Sequence, residues 1–491
     1  MNKPILRIYV LVLLLFTTLV YFTSKWTVLD AEELEGQSAN RRPLIEQQQI
    51  PRGSIETRDG VLIAESVPEG GGRNPVYVRR YPEGALFGHP VGYNFVDVGN
   101  SGIELAEDDL LIGEENEFAS IIDQLRGEQP AGADITLTID AEAQRIAAEG
   151  LQRAVASSGF PELGGALVAI EPSTGAVRAM ASVPGYDPNV VQADDTFAEL
   201  RSNEASTPLL NRPTQSTYPP GSTMKVVTAA AALDSGEFDP DTVLNADSPK
   251  QISGVDLQNF GGESFGDIDM TTALTNSVNT YWAQVGEQLG PETMVEYMER
   301  FGFYSDPELE YPQMAPSGVY NSAGDLVREG FDVGRVAIGQ GGEEGQLLAT
   351  ATQMAEVAAT VANGGTLMRP TFIQEAKDPD GRTIEELDPE EQSDVISEES
   401  AAQLVEMMTN VTREGTASGL TVEGVEFAGK TGTAEINVES SLNQPWFITF
   451  APAQDPQIAV AVTIERCTGC FGGEVAGPIA TTVMENLLAD G

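Results

Sequence analysis

The chain of 491 residues is strongly acidic, and its composition excludes several classes of function. Its 75 Asp and Glu residues against 27 Lys and Arg residues give a formal net charge of −48, whereas nucleic acids and anionic membrane surfaces are bound through basic surfaces. The single histidine, His89, and the two cysteines, Cys467 and Cys470, disfavour a Ser-His-Asp triad and a metal site with several His and Cys ligands. We predict two or three domains, no metal, no cofactor, no nucleic-acid partner, and chemistry based on lysine.

The N-terminus carries a candidate membrane anchor. Residues 8–22 contain no charge, Lys3 and Arg7 precede them, and the apolar stretch over 5–26 approaches the roughly 20 residues that span a bilayer. The basic flank keeps that end cytoplasmic, and residues 23–26 lack the small-x-small pattern of a signal-peptide cleavage site. We predict that residues 1–26 form a cytoplasmic tip and a single-pass transmembrane anchor in the cell membrane, with the rest of the chain on the extracytoplasmic side.

Residues 27–133 show little regular periodicity and are interpreted as an extended, non-catalytic N-terminal module. Residues 52–55 and 58–62 predict a strand, a tight turn and a second strand. Residues 81–84 predict another turn, and residues 102–105 begin a short helix. His89 lies in this module and is predicted to be structural.

Residues 134–491 combine strand and helix patterns. Residues 134–140 alternate apolar and polar side chains as in a strand, and residues 141–156 have helical spacing. Further strands are predicted at 166–170, 176–182, 429–436, 446–451 and 458–465, and a last helix at 478–488. Together these elements predict one sheet flanked by helices, an α/β (α+β) layer arrangement.

The middle of the chain is predicted to be mainly helical, from residue 222 to residue 363. A helix at 350–362 ends at Asn363-Gly364-Gly365, a sequence typical of a helix C-terminus. The acidic stretch 378–399 is predicted to be a solvated loop, at the end of which Ser397 caps another helix.

The stretch Tyr218-Pro219-Pro220-Gly221-Ser222-Thr223-Met224-Lys225 is the first candidate for chemistry. Two prolines and a glycine predict a turn, and residues 222–233 predict a mostly buried helix. Ser222 then lies at the helix N-terminus with Lys225 one turn further on the same face, which is one way to activate a hydroxyl. Taken alone, the stretch is equally compatible with a Ser N-cap followed by an exposed lysine.

Two further short motifs complete an ordered set. Ser277-Val278-Asn279 is a Ser-x-Asn, and Lys430-Thr431-Gly432-Thr433 lies on a predicted strand. Each is weak alone, and Ser-x-Asn also occurs by chance as a polar helix junction. The order Ser-x-x-Lys, Ser-x-Asn, Lys-Thr-Gly is specific, because two of only six lysines fall inside it.

Residues 424–431 also match the phosphate-binding loop pattern. That loop needs a helix after it, whose N-terminus holds the phosphates. Here a strand is predicted after Thr431, and Glu426 lies inside the loop. We therefore do not expect a nucleotide site.

With these motifs the chain resembles class B penicillin-binding proteins, monofunctional peptidoglycan transpeptidases. The similarity extends nearly end to end through residues 52–55, 102–104, 169–175, 211–212, 339–341 and 472–473. The opening residues 1–4 and the compact N-terminal module look most like the actinobacterial penicillin-binding protein A subgroup. Met224 replaces the usual Phe, and Ala351 stands where Pro is common; both departures are expected to concern packing.

The resemblance implies the penicillin-recognising serine transpeptidase fold, which is β-lactamase-like. A five-stranded, mainly antiparallel sheet flanked by helices is joined to a helical subdomain, and the site lies between them. On this basis residues 134–491 are the transpeptidase domain, and residues 27–133 resemble a pedestal or dimerisation module.

The resemblance also implies roles for the motif residues. Ser222 is the nucleophile, and Lys225 is its base if burial and the nearby cation of Lys430 keep it neutral. The backbone N–H groups of Ser222 and Thr433 form the oxyanion hole, and Ser277 passes a proton to the leaving group.

The remaining motif residues are implied in substrate binding. Asn279 holds the substrate backbone, while Lys430, Thr431 and Thr433 bind the terminal carboxylate. Gly432 lets the strand approach closely.

Cys467 and Cys470 form a C-x-x-C after the last predicted strand. A local disulfide is the leading interpretation; two inert thiols and a redox centre are the alternatives. This loop is not a general feature of the family, so its role stays open.

The implied function is a serine D,D-transpeptidase that acylates on D-Ala-D-Ala stem peptides of nascent glycan strands, cross-links peptidoglycan and is covalently inhibited by β-lactams. A membrane glycosyltransferase is the expected partner, in cell division or in cell-shape maintenance. A D,D-carboxypeptidase and a β-lactam-binding sensor or scaffold remain alternatives. A β-lactamase is disfavoured because no Glu-x-x-Leu-Asn segment lies between Ser277 and Lys430.

Overall fold

The computed structural model describes residues 3–25, 48–70, 75–113, 131–193, 195–306, 308–342, 345–437 and 440–489. Residues 1, 2 and 26 of the predicted anchor and residues 27–47, 71–74 and 114–130 of the predicted N-terminal module lie outside the described residues. The described strands are β1 Ile55–Glu56, β2 Leu62–Glu69, β3 Val76–Arg80, β4 Asn94–Phe95, β5 Gly99–Asn100, β6 Asp134–Leu137, β7 Gly165–Ile170, β8 Val177–Val183, β9 Leu244–Asn245, β10 Lys250–Ile252, β11 Val255–Leu257, β12 Asp267–Ile268, β13 Gly318–Tyr320, β14 Gly341–Gly342, β15 Gly345–Leu348, β16 Thr366–Met368, β17 Ile373–Lys377, β18 Thr383–Glu386, β19 Glu391–Asp394, β20 Ala428–Asn437, β21 Leu442–Ala451, β22 Ile458–Ile464 and β23 Cys467–Thr468. The described α-helices are Lys3–Ser24, Gly88–Val91, Ile103–Ala106, Asp108–Ile112, Ala141–Ser157, Thr196–Ser202, Arg212–Gln215, Lys225–Asp234, Met270–Thr275, Asn279–Arg300, Val333–Val336, Ala351–Ala362, Glu398–Arg413, Gly472–Val475 and Gly477–Ala489.

The N-terminal helix Lys3–Ser24 covers most of the anchor predicted at residues 1–26. Its large apolar side chains are exposed rather than packed on the protein, and by length and composition the helix is able to cross a membrane.

A central sheet combines the early strands β7 and β8 with the late strands β20, β21 and β22. Its order is β20-β21-β22-β7-β8, every neighbouring pair is antiparallel, and β20 forms one edge. All residues of β7, β8 and β22 are buried, which requires cover on both faces of the sheet. Helices Ala141–Ser157, Gly477–Ala489 and Ala351–Ala362 provide that cover. The predicted five-stranded antiparallel sheet flanked by helices is confirmed.

The N-terminal module and the later chain share a second sheet. Its order is β18-β17-β6-β1-β2-β3, with β6 parallel to β1 and antiparallel to β17. Beside it, the buried Glu104 carboxylate pairs with Arg52 and Arg79, at 3.0 Å and 2.5 Å. Because a buried charge is tolerated only when it is paired, this cluster fixes the module's interior.

The acidic stretch 378–399 is not the loop that its composition predicts. It contains β18 and β19, which pair with β17 and β16. Their side chains are largely exposed, so the alternation of buried and exposed residues that marks a strand is absent from the sequence. The prediction of a loop was wrong, because these strands are held by backbone pairing with β16 and β17 and not by burial of their side chains.

The prediction of a mainly helical middle is incomplete for a similar reason. Helices dominate between residues 222 and 363, yet β9 to β15 form short two- and three-stranded sheets between them. Strands of two to four residues are too short to show a period in the sequence.

Candidate active site

The first motif begins with a tight turn on the edge of the central sheet. Gly221–Met224 is a 3-10 turn that continues into the buried helix Lys225–Asp234. Gly221 adopts φ +55°, and a Cβ atom there would lie 2.8 Å from the Ala434 nitrogen. The helix predicted from Ser222 is α-helical only from Lys225, and Ser222 lies in the 3-10 turn before it. The glycine allows this turn to pack closely against β20.

Residues outside the three motifs hold this turn in place. Trp446 Nε1 donates to the Pro219 carbonyl at 2.9 Å, and the Tyr218 hydroxyl donates to Glu465 at 2.8 Å. The same carboxylate oxygen accepts from Arg212 Nε at 2.8 Å. No local sequence pattern connects Glu465 and Trp446 to the motif, so neither residue was predicted to belong to the site.

The second motif lies in the bend between helices Met270–Thr275 and Asn279–Arg300. Ser277 has φ +57°, a left-handed conformation that costs energy for any residue except glycine. The bend is held by bonds from the Ser277 nitrogen to the Leu274 carbonyl and from the Val278 nitrogen to the Ala273 carbonyl. This backbone presents both the hydroxyl and the carbonyl of Ser277 to the site.

The third motif lies on edge strand β20, with its residues on alternating faces. On the face toward the first motif, a Cβ atom at Gly432 would lie 2.9 Å from the Pro220 oxygen and from Thr223 Cγ2. Thr431 lies on the other face, where its Oγ1 is 2.6 Å from Thr416 Oγ1. No pattern in the sequence marks Thr416 as part of the site.

Lys225 contacts the first two motifs directly and is connected to the third through Ser277. Its Nζ lies 3.0 Å from Ser222 Oγ and 2.7 Å from both Asn279 Oδ1 and the Ser277 carbonyl oxygen. Ser277 Oγ is 3.2 Å from Lys225 Nζ and 2.9 Å from Lys430 Nζ. A continuous chain of polar atoms therefore connects Ser222 to Lys430.

Burial controls the charge of both lysines. Desolvation of the fully buried Lys225 side chain, followed by repulsion from Lys430, holds the Lys225 pKa well below its usual value of 10.5. Desolvation also lowers the pKa of Lys430 to about 7. The expected depression of the Lys225 pKa by burial and by Lys430 is reproduced.

Asn279 makes contacts that the sequence did not predict. Its Oδ1 accepts from Lys225, and its Nδ2 donates to the Gln258 carbonyl at 3.2 Å. The side chain thus orients the lysine and ties the second motif to the loop after β11.

His89 and the two cysteines lie apart from this cluster, whereas the phosphate-loop match overlaps it at Lys430 and Thr431. Strand β20 continues to Asn437 after the phosphate-loop match, so a strand follows the loop in place of the helix that a phosphate site needs. His89 Nε2 lies 2.9 Å from the Pro208 carbonyl, and burial lowers its pKa to about 4. Cys467 and Cys470 are joined by a disulfide.

The three motifs, in this geometry, fall inside a known domain. The family model described as penicillin binding protein transpeptidase domain matches residues 165–485. The chain belongs to the penicillin-binding protein transpeptidase family. A second model, described as penicillin binding protein A dimerisation domain, matches residues 52–135.

Curated and solved members of the penicillin-binding protein family resemble the whole chain. Peptidoglycan D,D-transpeptidase PbpA of Mycolicibacterium smegmatis is 33% identical over 508 residues, covering 100% of each chain. The structure of penicillin-binding protein A from Mycobacterium tuberculosis in a ceftriaxone acyl-enzyme complex has a TM-score of 0.78 and 32% identity, covering 90% of this chain and 99% of that one. The D,D-transpeptidase domain of a peptidoglycan glycosyltransferase from Eggerthella lenta has a TM-score of 0.76 and 31% identity, again over 90% and 99%.

Proposed function

We propose that this protein is a peptidoglycan D,D-transpeptidase that forms an acyl-enzyme on Ser222. The observation that carries the proposal is the 3.0 Å contact between Ser222 Oγ and the buried Lys225 Nζ, within a chain of this family. Acyl-enzyme complexes with β-lactams are known for the relative from Mycobacterium tuberculosis, which supports covalent inhibition of this chain as well.

The contacts of Lys225 suit a neutral amine, which has two N–H groups and one lone pair. Asn279 Oδ1 and the Ser277 carbonyl only accept hydrogen bonds, and at 2.7 Å each they use the two N–H groups. The lone pair is then left for the Ser222 hydroxyl. Lys225 is proposed as the general base that activates this hydroxyl.

Acylation follows from this arrangement. Ser222 Oγ attacks the carbonyl carbon of the penultimate D-alanine while its proton passes to Lys225 Nζ. The backbone N–H groups of Ser222 and Thr433 hold the developing oxyanion; the loss of one such donor typically costs about 100- to 1000-fold in rate. The bond to the terminal D-alanine breaks, and the leaving amine takes a proton through Ser277, which contacts both lysines.

Substrate binding is assigned to β20 and its neighbours. As an edge strand, β20 has free backbone groups along which an extended stem peptide can lie. Lys430, Thr431 and Thr433 are proposed to bind the terminal carboxylate, and Gly432 allows the close packing described above. In the second half-reaction an amine of a neighbouring strand attacks the ester, forms the new amide and releases Ser222.

We further propose the division of the chain that the sequence suggested. Residues 1–26 anchor the protein in the cell membrane, residues 27–133 form the non-catalytic module, and residues 134–491 form the transpeptidase domain on the extracytoplasmic side. The exposed apolar helix Lys3–Ser24 and the match of residues 52–135 to a dimerisation domain support this organisation. A membrane glycosyltransferase that polymerises the glycan strands is the proposed partner.

Labelling by a fluorescent penicillin tests the nucleophile. We expect Ser222→Ala to abolish labelling, while Ser235→Ala, at the other end of the same helix, labels normally. Undiminished labelling of the Ser222 variant would refute the assignment.

Product analysis separates transpeptidation from hydrolysis. The full-length protein in detergent is given a stem-peptide thioester and an amine acceptor, and the products are resolved by mass spectrometry. A cross-linked amide is expected; hydrolysed acid as the sole product would favour the carboxypeptidase alternative, and no turnover after acylation would favour a sensor or scaffold.

A further inference from the structure

The disulfide-closed turn has no part in the proposed chemistry, yet it leads directly into the active site. Cys467 and Cys470 have their Cα atoms 5.6 Å apart. The turn between them is bound to β21 and the residue before it: the Gly469 nitrogen donates to the Ser441 carbonyl at 2.8 Å, and Asn443 Nδ2 donates to the Cys470 carbonyl at 3.0 Å. The position of Cys470 is therefore fixed relative to the central sheet.

The residues that follow pack on the third motif. The Gly472 nitrogen lies 3.4 Å from Thr433 Oγ1, to which it donates. A Cβ atom at Gly472 would lie 2.4 Å from the Gly432 oxygen, so only glycine allows this approach. Phe471 lies between this contact and the disulfide.

Phe471 contacts an aromatic side chain, Phe260, from a distant segment of the chain. Its ring contacts that of Phe260 edge-to-face, with ring centroids 5.3 Å apart and an interplanar angle of 86°. Phe260 is otherwise unusual, because 70% of its surface is exposed.

The loop that carries Phe260 is bound to the second motif. The Gln258 carbonyl accepts from Asn279 Nδ2, and Asn259 Oδ1 accepts from the Thr280 nitrogen at 2.9 Å. The two aromatic rings thus connect the segment bound to the second motif with the segment bound to the third.

We propose that Phe260 and Phe471 form an aromatic bridge that holds the second and third motifs at the spacing needed for acylation, and that the Cys467–Cys470 disulfide positions Phe471 for it. These four are positioning residues, since they act through Asn279 and Thr433. This inference rests on the proposed function at one point: the experiments that test it measure the acylation of Ser222.

The bridge is tested with Phe260→Ala, Phe471→Ala and the double variant. Each single change is expected to lower the first-order acylation rate constant by about threefold to tenfold, the scale of one aromatic pair, with little change in penicillin affinity or unfolding temperature. Because either change breaks the same contact, the double variant is expected to acylate no more slowly than the slower single variant. Val255→Ala, at an exposed apolar side chain on β11, is the matched control and is expected to leave the acylation rate constant unchanged.

The acylation rates of the single and double variants distinguish a shared aromatic contact from two independent effects. Rates within a factor of two of the parent chain for both single variants would overturn the proposal. So would effects that multiply in the double variant, because they would show two unrelated losses.

The disulfide is tested with dithiothreitol on the full-length chain. One dithiol supplies two electrons and two protons, leaves as its cyclic disulfide, and frees both thiols, which alkylation and mass spectrometry verify. Acylation is expected to slow to the level of Phe471→Ala, while a Cys467→Ser/Cys470→Ser variant, already slow, does not respond to the reagent. An unchanged rate with both thiols free would remove the disulfide from the proposal. If the oxidised parent chain is not acylated at all, the proposed function fails instead.

Discussion

Ser277 stands between two buried lysines that are far apart in the sequence. Its hydroxyl lies 3.2 Å from Lys225 Nζ and 2.9 Å from Lys430 Nζ, and its carbonyl accepts from Lys225. Two lysine cations would repel each other in this small volume, and this repulsion favours the loss of a proton from at least one of them. In the proposed mechanism, the active state has Lys225 neutral as the general base and Lys430 charged for binding the substrate carboxylate.

This pair predicts a bell-shaped pH profile for acylation. The second-order rate constant, which reports the free enzyme, is expected to rise as Lys225 loses its proton and to fall above pH of about 7, where Lys430 loses its charge. Stopped-flow measurements with a fluorescent penicillin between about pH 5 and about pH 9 test this, because the Lys430 pKa of about 7 lies inside that range. Lys430→Arg keeps its charge and should lack the descending limb; an unchanged limb in that variant would contradict the assignment.

A second buried group, Glu356, affects stability rather than chemistry. Desolvation raises its pKa from 4.5 to about 8, and its Oε2 accepts from Gln353 Nε2 at 3.3 Å. The folded state therefore holds a proton that the unfolded state releases, so stability present at low pH is lost as the pH rises from about 4.5 toward 8.

We expect Glu356→Gln to remove the loss of folding stability that the ionisation of Glu356 causes at high pH. The variant should be more stable than the parent chain at pH 8, on the order of 1–3 kcal/mol, and similar to it near pH 4. Thermal or denaturant unfolding at the two pH values measures the difference, and the exposed Glu296→Gln serves as control. A stability difference independent of pH would show that ionisation of Glu356 is not the cause.

At the scale of elements, three backbone segments pack directly on one another at the site: the first motif, strand β20 and the turn at Gly339. Gly221 of the first motif lies between β20 and the turn at Gly339, whose carbonyl accepts from the Gly221 nitrogen at 3.0 Å. A Cβ atom at Gly339 would lie 1.8 Å from the Gly221 oxygen. The position of the Ser222 backbone, which belongs to the proposed oxyanion hole, is therefore set by packing of main chain on main chain.

Gly339→Ala is expected to impair acylation strongly. The residue has φ +74°, and relief of the clash must displace Gly221 and with it Ser222. Gly236 is a matched control, because it has φ +73° but nothing within 4 Å of the added Cβ. Gly236→Ala should cost only the backbone strain of about 1–2 kcal/mol and leave the acylation rate intact. Equal loss of acylation in both variants would point to strain rather than to the contact.

Local signals in the sequence predicted the elements of the site but not their mutual contacts. The Pro-Pro-Gly turn, the buried helix after Ser222 and the strand at Lys430 were all recognisable, because each has its own pattern of burial or of turn residues. The left-handed Ser277, the pairing of Thr416 with Thr431 and the bond from Tyr218 to Glu465 depend on residues brought together by folding. Single-sequence patterns carry no information about such contacts.

At the scale of the whole molecule, the net charge of −48 dominates. Like charges in excess repel one another in the compact state and less so in the expanded one. Dissolved salt screens this repulsion, so the folded state gains more from salt than the unfolded state does.

We expect the unfolding midpoint to rise by roughly 3–8 °C between about 0.02 and about 1 M NaCl. Differential scanning of the full-length protein in detergent measures it. At a pH near 4.5 many carboxylates are protonated, and the salt effect should shrink. A midpoint that falls with salt, or a larger effect at low pH, would show that charge repulsion does not limit stability.

The mixed sheet of the N-terminal module has a consequence for modularity. Strand β6, at the start of the transpeptidase segment, has β1 on one side and β17 on the other, so the two regions interlock through main-chain bonds. A chain cut at residue 134 would leave β6 as a bare edge, free to recruit strands from other molecules. Recombination between genes of this family would therefore have to exchange the module together with β6, β17 and β18, which makes the module alone a poor unit for domain shuffling.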